Sequence, residues 1–244
     1  MSDESGAGLT PEKREDVFRA RNRVVDHWKR LFAIICGFAI TVACLRAYTC
    51  VLEKDWTGLL QFFALMVTIP PVFHGIERSL DVRYLQSTSP IPGAGRLIID
   101  TAILMLTALF FLGLALNIPD LSVQWWAERA IVLRRRFLLL LVLFFLFDFV
   151  VLLVARKLLR EGGAGGEHLS THARLAVINL LAGLAVGVGM FSGAAVARYF
   201  GVDGWLASRG FEAPVVAAAL IAVGRTILDY PVSRRFLYPQ ENLA

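Results

Sequence analysis

Long apolar stretches alternate with short polar ones along this chain, and six apolar blocks stand out: Leu31–Val51, Leu59–Ile76, Leu97–Ile118, Phe137–Ala155, Leu175–Phe200 and Ala213–Tyr230. Each is close to the roughly 20 residues that an α-helix, rising about 1.5 Å per residue, needs to cross a hydrocarbon core about 30 Å thick. Phe137 to Val154 reads FLLLLVLFFLFDFVVLLV, with one polar residue. A helix apolar on every side suits lipid, whereas a soluble helix normally keeps a polar face. The pattern predicts an all-α fold, a polytopic transmembrane helical bundle of about six spans. Pro70-Pro71 interrupts the second block, which predicts a kink and two backbone carbonyls left without helical donors.

The first thirty residues carry a different pattern. Thr10 suits an N-cap, Pro11 the first helical position, and acids follow in the first turn. Phe18, Val25, Trp28 and Phe32 then recur at helical spacing, with Lys13, Arg19, Arg23 and Arg30 between them. This predicts an N-terminal amphipathic helix, either lying along the inner leaflet or docking a partner. The organisation expected is a cytoplasmic segment over 1–30, a bundle over 31–230 and a short cytoplasmic tail over 231–244. Leu121–Arg136 is a second candidate interfacial helix, and Glu161–Glu167 reads as a flexible glycine loop. The first apolar run lies behind thirty mostly polar residues including six acids, with no small-residue cleavage site after it. The first span is therefore expected to be a retained anchor rather than a signal peptide.

Composition agrees with the blocks. Hydrophobic residues make up 57% and charged residues 18%, against about 45–50% and about 25% in soluble domains. The net charge of +5 does not point to nucleic acid, because the cations sit at block borders with acids among them. If the N-terminus is inside, sixteen Lys and Arg fall in inner segments and seven in outer ones, with Arg46 and Arg225 inside spans. That asymmetry places both termini in the cytoplasm of a cell with an inner membrane, although Arg134-Arg135-Arg136 runs against it. All five tryptophans (Trp28, Trp56, Trp125, Trp126 and Trp205) lie just outside a block, at interface depth. Cys36, Cys44 and Cys50 form no disulfide or metal pattern and read as small core residues.

Two further features concern packing. Ala185, Gly189, Gly193 and Ala197 fall four apart in the fifth block, with Gly183 and Gly187 nearby. Small residues at that spacing allow close helix approach, either within one chain or at a homo-oligomer face. The fourth block, with Leu and Phe on every side and no glycine, is expected at the periphery of the bundle.

Candidate chemistry lies in ionisable residues within the apolar zone. The second block carries His74, Glu77, Arg78 and Asp81, at offsets that make one stripe; the third carries Asp100, the fourth Asp148, and the sixth Arg225 and Asp229. With both termini inside, all eight fall in the inner half of the membrane, where helices can bring them together. A charge near the bilayer centre costs about 2.5–3.5 kcal/mol on insertion scales, so Asp148, flanked by apolar residues on both sides, needs a partner, water or a proton. Paired charges pinning the bundle together are one reading. The other notes five acids (Glu77, Asp81, Asp100, Asp148, Asp229) against Arg78 and Arg225, a surplus suited to a proton, cation or cationic solute.

His168 and His172 beside Glu167 have HxxxH spacing but no third ligand, and no metal is expected. Phosphate-loop, dinucleotide, nucleophile and haem-attachment patterns are absent from the sequence, so no cofactor is expected and the chain leans away from being an enzyme. The leading expectation is a small ion, proton or solute transporter with an acidic cluster in the inner half of the bilayer. The alternatives are a non-catalytic subunit or scaffold of a membrane complex, docked through Phe18 and Trp28 or Trp125 and Trp126, and an intramembrane enzyme modifying lipid with His74. Expected partners are the bilayer and a second copy or a membrane-complex subunit, with no nucleic acid.

Overall fold

A computed structural model describes residues 11–85, 94–120, 124–161, 166–199 and 212–237. Among them every regular element is helical: α1 (Pro11–Leu52), α2 (Trp56–Leu80), α3 (Ala94–Leu116), α4 (Gln124–Glu161), α5 (Gly166–Tyr199) and α6 (Glu212–Leu237), with a π-helical turn at Asp81–Leu85. Six helices are long and apolar enough to cross a membrane, the architecture of a multi-pass membrane protein. The helices outrun the apolar blocks because a helix keeps its hydrogen bonds wherever polar side chains can reach the interface. Thr10, the expected cap, lies outside the described residues.

α1 runs through residue 31 without interruption over 42 residues, about 60 Å at 1.5 Å per residue. The surface helix expected over 1–30 therefore has no boundary of its own. A single buried stripe follows the length of α1: Val25, Trp28, Phe32, Cys36, Ala39, Ala43, Ala47 and Cys50. Its spacing of three and four keeps one face inward, and the small residues in its second half let α3 approach closely. Trp28 turns into the bundle and meets Tyr84 edge to face at 5.4 Å. It is thus a packing residue, unlike Phe18, which is exposed.

The helices close a ring: α1 packs on α2 and α3, α2 on α6, α6 on α5, α5 on α4, and α4 back on α3. The α3–α4 seam is aromatic, with Phe110 5.3 Å from Phe147 and Phe111 5.3 Å from Phe144 between ring centroids. α4 is among the least buried of the spans, with 28% of its apolar window inside the fold, and it still contributes to the core. Its Phe137, Leu138, Leu141, Phe144 and Phe145 are fully buried while Leu139, Leu143 and Val150 face outward. All-round apolarity serves both sides at once, so the pattern alone cannot tell lipid from core.

α5 meets α4 at small residues other than the four expected to pack. Ala185 is exposed and a Cβ on Gly189 would meet nothing, while the side-chain environments of Gly193 and Ala197 lie outside the described residues. Contact with α4 is made instead at Gly183, where an added Cβ would stand 3.3 Å from Phe145 Cβ, and at Gly187 against Val142. Two residues along a helix is about 200° around it, so Ala185 and Gly189 face away from the contact with α4.

The proline pair is accommodated inside α2. Pro71 has no N–H, so the Val67 carbonyl four residues earlier loses its helical donor. Thr226 Oγ1 of α6 replaces it, donating to Val67 O at 2.8 Å. A hydroxyl is well used there, since lipid offers no substitute for a missing backbone partner.

Candidate functional site

The two ends of the bundle have different polar chemistry. At the end where α1 turns into α2, Asp55 caps α2 by accepting from Thr57 N at 3.2 Å and takes Arg134 Nη2 at 2.7 Å. Arg134 is thus a half-buried structural partner, while Arg135 and Arg136 are exposed. Arg46, one of the two cations inside spans, donates to the carbonyls of Leu116 and Ile118. These belong to the C-terminal end of α3, where unpaired carbonyls attract a cation. Cys50 Sγ donates to Pro119 O nearby. At the opposite end, Lys29 Nζ meets Asp81 Oδ1 at 2.8 Å, both about a quarter exposed.

Between these ends lies a cavity of about 80 Å³, walled by α2, α3, α4, α5 and α6. On the same measure a water needs about 10–15 Å³, so it has room for several. Its depth follows from helix rise. Asp148 lies fourteen residues from Arg134, about 21 Å along α4, and Arg225 lies thirteen from Glu212, about 20 Å along α6. Both fall well inside a hydrocarbon core of about 30 Å, nearer the Lys29–Asp81 end.

Four groups make the polar centre of this cavity. Arg225 Nε donates to Asn179 Oδ1 at 2.9 Å, Nη2 reaches Asp148 Oδ2 at 3.2 Å, and Nη1 lies 3.3 Å from Asp229 Oδ2. The guanidinium is buried and also sits 5.8 Å from the Phe145 ring centroid, a cation–π distance. A tight charge-assisted contact is about 2.7–2.9 Å. Only the neutral Asn179 is held that closely; both carboxylates are looser, and Nη1 makes no hydrogen bond of good geometry. One guanidinium therefore serves two carboxylates without saturating either.

Asp100 lines another part of the wall and accepts from Tyr84 Oη at 2.5 Å. His172, Ser79 and Ser233 also line the cavity, and Ser233 Oγ donates to Asp229 O at 2.6 Å. Among the described residues that line the cavity, three aspartates stand with one arginine.

Of the eight residues singled out from sequence, Asp100, Asp148, Arg225 and Asp229 line this one cavity and the other four do not. His74 is exposed, Glu77 and Arg78 are half-buried, and Asp81 is held by Lys29. The cause is rotation about α2. Gly75 and Ser79 face the cavity, and the stripe through His74, Arg78 and Asp81 lies well round the helix from them at about 100° per residue. Sequence reasoning missed Asn179, Tyr84 and Lys29. Asn179 was visible as the one amide inside the fifth apolar block, but a search restricted to ionisable groups passes over it. Among the described residues no three His, Cys, Asp or Glu side chains gather as metal ligands.

No protein-family model, curated protein or solved structure matches the chain.

Proposed function

We propose that this chain is a small multi-pass transporter of the inner membrane that moves protons or small cations through the acidic cavity around Arg225. One observation carries the reading: Asp100, Asp148 and Asp229 wall a cavity large enough for several waters, at hydrocarbon depth, with Arg225 as the counter-charge at its centre. A purely structural ion pair would be dry and would balance its charges, because uncompensated buried charge costs several kcal/mol. Here Asp148 and Asp229 share one guanidinium, their contacts to it are long, and there is space beside them. Such a site can take up a proton or cation and release it. The excess of cations in the segments on the side of the two termini supports a cytoplasmic location for both ends, which puts the cavity in the cytoplasmic half.

The test is flux in proteoliposomes loaded with a pH-sensitive dye, under an imposed proton, sodium or potassium gradient. The parent chain moves one of these ions faster than empty vesicles, and Asp148→Asn abolishes that movement while leaving yield and melting unchanged. A parent chain indistinguishable from empty vesicles for all three ions sinks the reading, as does an Asp148→Asn protein that transports normally.

A second reading rests on α1. At about 60 Å it is roughly twice the hydrocarbon thickness, and Phe18 and Val24 are exposed on it. It supports a membrane subunit that docks a partner through this helix, and a co-purifying protein lost on Phe18→Ala would favour it over transport.

A further inference from the structure

Gln61 is fully buried in α2, and neither its Nε2 nor its Oε1 has a hydrogen-bond partner among the described residues. It lies six residues from Asp55, about 9 Å into the bundle at 1.5 Å per residue. An unpaired amide in that position is costly, since each orphaned donor or acceptor forfeits its full hydration. Acyl chains offer no hydrogen bond. A partner subunit cannot reach a side chain with no exposed surface. The occupant that remains is small, hydrogen-bonding and internal.

The position of Gln61 on its helix says where such an occupant would come from. At about 100° per residue, Thr57, Gln61, Thr68, Gly75 and Ser79 fall within about 40° of one line along α2. Thr57, Gln61 and Thr68 are buried, and Gly75 and Ser79 line the acidic cavity. This azimuth carries the polar side chains of Thr57, Gln61, Thr68 and Ser79, spaced by the small or cyclic Ala64, Pro71 and Gly75, from the Asp55 end to the cavity wall, over about 30 Å between residues 55 and 75. Thr68 Oγ1 donates to Ala64 O at 2.7 Å, which leaves its oxygen free to accept. Beside it stands the Val67 carbonyl that Thr226 bonds.

We propose that this buried stripe of α2 is a water track continuing from the acidic cavity to the Asp55 end, with Gln61 as the amide to which its water bonds. It rests on the transport reading for its purpose and supplies the half of the route that the cavity does not cover. Ions enter or leave the Asp148–Arg225–Asp229 centre on one side through the cavity. On the other side they move along waters held by Thr68 and Gln61.

The experiment uses the full chain in nanodiscs with 15N in its glutamine side chains. The four glutamines are Gln61, Gln86, Gln124 and Gln240, and Gln61→Met, which keeps length and removes the amide, identifies the Gln61 signal. If that variant does not accumulate, Gln86→Ala, Gln124→Ala and Gln240→Ala assign it by elimination. The expected result is a magnetisation-transfer peak between the Gln61 amide protons and water, together with flux through Gln61→Met that is lower by about tenfold, the factor that about 1.4 kcal/mol on a barrier produces. An amide without a water peak overturns the proposal, and so does a Gln61→Met protein that transports like its parent. A hydrated Gln61 in a parent chain that carries no ion supports the water track and refutes the transport reading alone.

Discussion

Removing the guanidinium of Arg225 is the most direct test of how the cavity is held. In Arg225→Met the side-chain length is kept, but Asp148 Oδ2, Asp229 Oδ2 and Asn179 Oδ1 all lose the group they face at 3.2, 3.3 and 2.9 Å. Asp229 is buried, and the Asp148 side chain is 17% exposed, so water relieves Asp148 more than Asp229. Breaking a buried pair by deleting one partner costs about 3–5 kcal/mol, because the remaining charge is stranded. The cation–π contact to Phe145 is desolvated but long at 5.8 Å, and adds about 2 kcal/mol. The stranded carboxylates thus set the size of the effect. Neutralising them in Arg225→Met/Asp148→Asn/Asp229→Asn should return most of the loss, since buried ionic clusters exchanged for neutral groups of similar volume are often as stable as the original. Reversible unfolding by steric trapping in bicelles measures both variants. A single Arg225→Met variant within about 1 kcal/mol of the parent, the range of an exposed pair, would refute the argument that Arg225 is the counter-charge of the site. A triple variant no better than the single one would show that shape, not charge, was lost.

Three smaller predictions test the surroundings. Thr226→Val leaves the Val67 carbonyl without a donor and should cost about 1–3 kcal/mol; Pro71→Ala in the same chain restores a helical N–H and should recover it, an outcome read by the same unfolding assay. Gly58→Ala places a Cβ in overlap with Cys50 Sγ and 2.8 Å from Asp55 Oδ2, which should destabilise by about 1–3 kcal/mol. Cys50→Ala should relieve part of that loss, and an unaffected melting curve for Gly58→Ala alone would contradict the packing described. Lys29→Met, by contrast, removes a pair about a quarter exposed on each side and should change stability by less than about 1 kcal/mol; a larger loss would mean that this ion pair is far less solvated than its exposure indicates.

The six spans were legible because each needs only a run of apolar residues of membrane length, a property of composition along one dimension. What the pattern could not carry was rotation. Ala185 and Gly189 have the same spacing as Gly183 and Gly187, and only the position of α4 decides which pair is packed. His74, Arg78 and Asp81 form as regular a stripe as any on α2, yet the cavity lies round the helix from it. Asp100, Asp148, Arg225 and Asp229 were visible as costly residues at a similar depth. Their shared cavity depends on α2 and α6 meeting at Val67 and Thr226, which no local signal encodes. Arg134 was counted as a topology charge and Arg46 as a cation inside a span, but Arg134 pairs with Asp55 and Arg46 with backbone carbonyls, so either kind of cation can be a structural ligand as well.

The ion pair between Asp148 and Arg225 spans 77 residues of sequence, and that distance has a consequence during synthesis. At about 5–20 residues per second, α4 leaves the ribosome several seconds before Arg225 exists. Asp148 must therefore partition into the bilayer as a lone acid. The apolar window around it has a mean hydropathy of 3.2, the highest of the six spans, and each central Leu or Phe favours insertion by about 0.3–0.6 kcal/mol against the 2.5–3.5 kcal/mol that an aspartate opposes. The extreme greasiness of α4 is thus explained by its biogenesis as much as by its packing: it carries an unaccompanied carboxyl across the translocon and holds it there until the last helix arrives.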